Sequence, residues 1–273
     1  MPASALALAL AAAFIHALWN VLLARARDTV AATALAIVVG VVVFAPAAIL
    51  TWDVEPEVWP YVVGSTTFEL AYIALLAAAY TRSELSLVYP IARGVAPVLV
   101  LIVGVTALGA GSSPTQAAGV CLIALGVLLV RGPRREADAR GIGIGLAIAA
   151  CIAAYTLIDN AGVEHAEPLP YVILVMTPAA LVYASAILWL RGLGALRAEL
   201  SVSTLAAGVA SLSSYALALA ALQLAAAAPV AAVRETSVVI AALLAWTVLK
   251  EPVGLARLAG AALVAGGIGL LGA

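Results

Sequence analysis

The sequence predicts an all-α integral membrane protein, with ten transmembrane helices in two inverted five-helix repeats around a central cavity. Three observations carry this. Of 273 residues, 66% are apolar and 10% charged, with mean hydropathy +1.18, a composition foreign to soluble domains of this size. Basic residues fall almost wholly into alternate loops. The two halves also share polar and glycine positions at a nearly constant offset, among them two arginines deep in apolar runs.

A span needs ~20 apolar residues to cross ~30 Å of hydrocarbon. Ten segments qualify, at about 4–23, 30–50, 61–80, 86–108, 116–130, 141–161, 171–190, 201–223, 228–249 and 255–272. Only short connections remain, which leaves no room for a soluble catalytic domain. The first segment is expected to be a retained span, because Met1–Ser4 lacks the basic residues of a signal peptide. Cys121 and Cys151 lie in different apolar segments and are expected to pack rather than pair. Phosphate loops and metal-ligand clusters are absent from the sequence, so no cofactor is expected.

Orientation follows from charge. Loops after odd-numbered spans hold Arg25, Arg27, Arg82, Arg131, Arg134, Arg135, Arg140, Arg191, Arg197, Lys250 and Arg257. The even loops carry Asp53, Glu55, Glu57, Glu164 and Glu167. The positive-inside rule then places odd loops in the cytoplasm and both termini outside.

The repeat divides the chain into a first five-helix unit at 1–130, a charged cytoplasmic linker at 131–140 and a second unit at 141–273. Asn20 and Asn160 lie 140 residues apart; Arg93 and Arg234, Gly119 and Gly260, and Gly126 and Gly267 lie 141 apart. Five spans are an odd number, so the second copy enters the membrane inverted, an architecture that places a solute site near mid-membrane. Both halves are present, so a monomer suffices; a homodimer is equally compatible.

The polar residues concentrate on spans 1, 3, 4, 6, 8 and 9. Span one offers His16 and Asn20 on one helical face, span three Glu69 and Tyr72, and span four Tyr89 and Arg93 between Pro90 and Pro97. Span six offers Tyr155 and Asp159, span eight Tyr215, and span nine Arg234 and Glu235. Spans two, five, seven and ten are almost purely apolar and are expected to be scaffold. The tyrosines suit either a cavity wall or an interfacial belt. Trp19 is expected to be an interface anchor, Asp159 and Asn160 either rim or ligand residues, and Gly260, Gly266 and Gly267 sites of close helix approach.

Intramembrane ionisable groups are functional candidates by default. Glu69 with Arg93, and Glu235 or Asp159 with Arg234, are the expected ion pairs. Either arginine can hold a carboxylate or phosphate bidentately. Neither can release a proton, whereas a carboxyl group can exist in both states inside a cavity; Glu69 and Glu235 are therefore the candidates for coupling to protons. Pro90, Pro97 and Pro229 are expected to free backbone carbonyls where helices bend around the cavity.

The segments FIHALWNVLLAR, LSLVYPIARGVAPVLV, VAAVRETSVVIAALLAW and KEPVGLARLAGAALVAGGIGLL resemble, in order and in both halves, the EamA branch of the drug/metabolite transporter superfamily. The resemblance implies a ten-helix inverted repeat with a cavity walled by helices 1, 3, 4, 6, 8 and 9. It further implies secondary transport, often export, of amino acids, metabolites or drugs across the bacterial inner membrane. Tyr89, Arg93, Arg234 and Glu235 fall in its cavity-lining segments. Its members are commonly drawn with cytoplasmic termini, which departs from the charge reading here. The competing classes are a flippase and a membrane-embedded enzyme acting on a lipid-linked phosphate or sugar. The enzyme reading lacks a nucleophile and base beside the arginines. The expected partners are the bilayer, a small solute and protons, with no nucleic acid.

Overall fold

The computed structural model describes residues 1–24, 26–82, 85–130, 139–241, 243 and 255–272. The linker over 131–138, the end of the ninth expected span, and Arg25, Arg131, Arg134, Arg135 and Lys250 lie outside the described residues, as do the side chains of Arg82 and Arg257.

Alanine and leucine, strong helix formers, dominate the first run and make α1 (Ala3–Leu23). Asp28 then caps α2 (Thr29–Leu50), accepting hydrogen bonds from the N–H groups of Val30 and Ala31. A short turn at Pro56–Val58 leads into α3 (Trp59–Arg82). The first half closes with α4 (Leu85–Thr106) and α5 (Pro114–Val130). The second half holds α6 (Ala139–Gly162), α7 (Pro168–Ala198), α8 (Val202–Leu222, capped by Ser201), α9 (Ala227–Arg234) and α10 (Leu255–Gly272). Among the described residues, seven helices are long and apolar enough to cross a membrane; Pro114–Val130 and Leu258–Gly272 are shorter apolar helices. Among the described residues there is no strand, only an isolated antiparallel bridge between Val54 and Ala166.

Two elements depart from the expected bounds. Helix α7 runs beyond 190 because Gly192, at φ 76° and ψ 168°, breaks its axis and a second short helix follows. The ninth segment stops at Arg234, turns at 235–236 and resumes helical backbone at 237–241. Pro229 does not cause this break. It sits in the first turn of α9, where its missing N–H removes no intrahelical bond.

Besides α4 with α5, which has no counterpart among the described residues, the helix pairings include α1 with α8 and α3 with α6; α4 with α6 and α1 with α9; α2 with α8 and α3 with α7. Within these three sets, each pairing is the counterpart of its companion when helix n is exchanged with helix n+5. The pairs α2–α7, α4–α9 and α5–α10 map onto themselves.

Glycine builds the α5–α10 contact. A Cβ on Gly126 would meet the Gly260 carbonyl oxygen at 2.6 Å, and one on Gly260 would meet that of Gly126 at 2.6 Å. Gly119 and Gly267 oppose each other in the same way, at 3.1 and 2.7 Å. Absence of a side chain at these positions lets the backbones touch. Gly266 is a correction, because it faces open space. Cys121 is exposed and Cys151 buried, and both are free thiols.

The α2–α3 and α6–α7 loops are joined at one end of the bundle. Beside the Val54–Ala166 bridge, His165 Nδ1 lies 2.9 Å from Glu55 Oε2, and the His165 ring stacks on Tyr61. Both termini lie at this end, with the Met1 amino group 2.6 Å from the Leu271 carbonyl oxygen. At the opposite end Asp28 pairs with Arg191, and its N–H donates to Glu199 Oε1 at 3.0 Å. Burial disfavours the ionised form of Asp28, but the N–H of Ala31, the Arg191 guanidinium and the N–H of Val30 together hold its carboxyl below the usual value.

Candidate functional site: a polar cavity between the halves

The cavity grows out of helix periodicity. His16 and Asn20, four residues apart on α1, face inward together, with the Asn20 amide donating to the His16 carbonyl at 2.8 Å. Trp19 joins them, its ring edge-on to His16 at 5.1 Å, and its indole N–H is buried with no acceptor among the described residues. It is therefore a cavity residue and not an interface anchor. On α4, Tyr89 and Arg93 are again one turn apart, and the guanidinium lies 5.3 Å from the Tyr89 ring centroid. Pro97 has no N–H to offer the Arg93 carbonyl.

Arg93 and Glu235 form a buried ion pair at 3.2 Å, joining α4 of the first half to the break after α9 in the second. Glu69, the partner expected for Arg93, is not the residue that takes it. Arg93 also lies 3.1 Å from His16 Nε2. A guanidinium has only donors, so Nε2 accepts and the imidazole proton sits on Nδ1. Glu235 leaves its other oxygen, Oε2, without a partner among the described residues.

Arg234, one residue earlier, has another environment. It is half-buried, lines the cavity and stands over the Tyr215 ring at 5.9 Å. Among the described residues neither Glu235 nor Asp159 pairs with it, contrary to expectation. Asp159 is 1% exposed and accepts from Tyr215 Oη at 2.6 Å and Tyr171 Oη at 3.0 Å. It is thus no wet rim residue. Tyr155 bridges the aromatic wall, 6.5 Å from both Tyr72 and Tyr215.

These groups surround a cavity of about 310 Å³, within the range of small-molecule sites. Of the expected site residues, His16, Asn20, Glu69, Tyr72, Tyr89, Arg93, Tyr155, Tyr215 and Arg234 line it. Asp159 and Glu235 are buried behind the wall. Thr29, Val30, Thr33, Ala36 and Ile37 of α2, and Met176 and Tyr183 of α7, line it as well. The second and seventh helices are therefore wall and not pure scaffold. Thr29 and Thr33 are one turn apart, and Met176 and Tyr183 two turns apart, so helical spacing already pointed to these faces. The serines of α8 also contribute, Ser211 and Ser214 both reaching the wall.

Leu23 and Ala24 at the end of α1, with Thr29 at the start of α2, belong to the same lining, so the cavity extends to the α1–α2 end of the bundle. Among the described residues no three His, Cys, Asp or Glu side chains converge as metal ligands would.

A family model, the EamA-like transporter family, matches residues 3–132 and again 139–273. The chain belongs to the EamA-like transporter family. It is accordingly a multi-pass membrane protein and a membrane transporter of the drug/metabolite type. A comparison with curated proteins gave no match. One solved crystal structure, described only as that of a protein, superposes on this EamA-like chain with a TM-score of 0.77. It shares 16% sequence identity, over 99% of this chain and 96% of its own, a likeness of fold alone.

Proposed function

We propose that this EamA-like protein is a secondary active exporter of small organic solutes, such as amino acids, metabolites or drugs, working by alternating access in the bacterial inner membrane. Its ten transmembrane helices form two inverted five-helix repeats, over 1–130 and 141–273, that rock against each other. The observation that carries this reading is the cavity, which both halves line and which holds ionisable groups of both signs at bilayer depth. The exchange symmetry of the helix pairings supports the inverted repeat. So do the opposed glycines: the Gly126–Gly260 contact becomes Gly267–Gly119 when each residue is replaced by its repeat partner.

Arg234 and Glu69 are the residues we assign to a charged or polar solute, with Tyr72, Tyr155, Tyr215 and Trp19 as the surfaces for its apolar part. Arg93 is already satisfied by Glu235 and so acts mainly in the contact between halves. That pairing also makes Glu69 the better of the two candidate proton carriers, since protonating Glu235 would strip Arg93 of its counter-ion. With the basic odd loops inside, a cavity reaching the α1–α2 end faces the cytoplasm, the loading side for export.

The test is solute movement in liposomes reconstituted with purified protein, using a pooled amino-acid and small-metabolite mixture read by mass spectrometry. Protein-dependent movement that responds to an imposed pH gradient is the expected result. Liposomes with protein that match empty ones for every solute, with and without the gradient, contradict the proposal.

A further inference from the structure

Asp159 is a residue expected in the site to which the transport reading gives no task. It lies behind the cavity wall at 1% exposure, and no Lys or Arg among the described residues forms an ion pair with it. Burying a carboxylate without a counter-ion is unfavourable, so the fold must compensate for it. Compensation comes from two hydroxyl groups. Tyr215 donates to Oδ2 at 2.6 Å and Tyr171 to Oδ1 at 3.0 Å.

These tyrosines approach from opposite directions. Tyr215 is part of the cavity wall. Tyr171 is fully buried on α7, four residues after the Glu167 carbonyl to which its N–H donates at 3.0 Å. Glu167 is in the loop tied to the α2–α3 end, where its own N–H donates to the Asp53 carbonyl at 3.0 Å. The half-buried Tyr61 stacks on His165 at that end. The carboxyl group thus stands between the cavity and the end of the bundle that the cavity does not reach.

Other charged or titratable groups of this region are Tyr155 on α6 itself, Glu69 and Tyr72 on α3, Tyr89 and Arg93 on α4, and Arg234 and Glu235 at α9. Arg93 and Glu235 neutralise each other. Arg234 is then the positive charge that reaches both carboxyls, Glu69 and Asp159.

We propose that Asp159 is a proton-binding site of the transport cycle, reached from the cavity through the Tyr215 hydroxyl and steadied from behind by Tyr171. In the relay a proton from cavity water adds to Tyr215 Oη as the hydroxyl's own proton passes to Asp159 Oδ2. Tyr215 stays neutral, and the carboxylate becomes a carboxylic acid. Release retraces this path once the halves have rocked: the acid proton passes to Tyr215 Oη as that hydroxyl's own proton leaves to cavity water, and the carboxylate is restored. With one positive charge serving two carboxyls, a solute anion drawn to Arg234 favours protonation of Asp159, and this couples solute to proton. The inference rests on the transport reading above.

Infrared difference spectra of the wild type in liposomes, between mildly acid and mildly alkaline buffer, test proton binding without any solute. A carboxylic-acid C=O band present in the wild type and in Glu69→Gln, lost in Asp159→Asn, and shifted in Tyr215→Phe and Tyr171→Phe is the expected result. A band untouched in Asp159→Asn overturns the proposal. If that variant fails to fold, an unshifted band in both tyrosine variants overturns it equally. The second arm compares exchange of the pooled amino-acid and metabolite mixture with its pH-driven accumulation. Folded Asp159→Asn should keep exchange and lose accumulation; retained accumulation contradicts the role. A wild type that moves no solute refutes transport itself, while the infrared band still decides whether Asp159 binds a proton.

Discussion

Arg93 and Arg234 occupy matching places in the two halves, yet they live in different chemistry. Arg93 is clamped by Glu235, His16 and the Tyr89 ring and is 6% exposed. Arg234 is half-buried at the cavity wall, with the Tyr215 ring below it and no carboxylate partner among the described residues. The difference arises from one residue. Glu235 follows Arg234 in the second half, and at the helix break its side chain crosses to the first-half arginine. Two arginines 141 residues apart are thus left in different surroundings, one paired across the halves and the other at the cavity wall.

Breaking the clamp should have the largest effect on stability. Arg93→Ala leaves the Glu235 carboxylate buried and uncompensated, a loss of about 3–5 kcal/mol by precedent for buried pairs. Thermal unfolding in detergent should show a large drop, with much of it recovered in Arg93→Met combined with Glu235→Leu. Equal stability of Arg93→Ala and wild type would show that the clamp is not structural. Arg234→Ala, by contrast, breaks no ion pair among the described residues and should cost clearly less than Arg93→Ala, although it removes a positive charge near Glu69 and Asp159.

Remote packing sharpens the comparison by lowering stability without touching either arginine. Gly126→Val forces side-chain atoms against the Gly260 carbonyl, where even a Cβ would sit at 2.6 Å. Overpacking of this kind costs about 1–3 kcal/mol. Gly266→Ala, facing open space, is the silent control. Unchanged unfolding of Gly126→Val would remove the α5–α10 contact from the account.

The smallest effect belongs to the end where the cavity opens. Asp28→Ala removes a cap worth about 1 kcal/mol and the Arg191 pair with it. The Asp28 carboxyl lies below its ordinary value in the fold, so its ionised form stabilises the protein fully above the unfolded value of about 3.9. That contribution disappears as the pH falls through the lower folded value. The deficit of Asp28→Ala should therefore be constant from neutral to weakly acid buffer and shrink only in stronger acid. A deficit that grows on acidification would contradict this sign.

Much of this was legible in the residues. Hydropathy located the helices, and polar residues one turn apart on α1 and α4 identified inward faces correctly. Partner choice was not legible, because it depends on the turn at 235–236, which the apolar run conceals. The polar contribution of α2 and α7 was hidden for a related reason. Thr29, Thr33 and Tyr183 are too few to lower the hydropathy of long apolar helices, although their spacing puts them on the cavity faces. Asp159 seemed close to a wet end; only the tyrosines of α7 and α8, distant in sequence, show that it is buried.

The most direct measurement is transport of the pooled mixture by wild type, Arg234→Ala and Arg234→Lys, each first shown to be folded, monodisperse and equally reconstituted. The account predicts that uptake present in the wild type disappears in Arg234→Ala and is partly restored in Arg234→Lys, which keeps the charge but loses the bidentate fork. Equal uptake by all three would contradict it, placing Arg234 off the solute path.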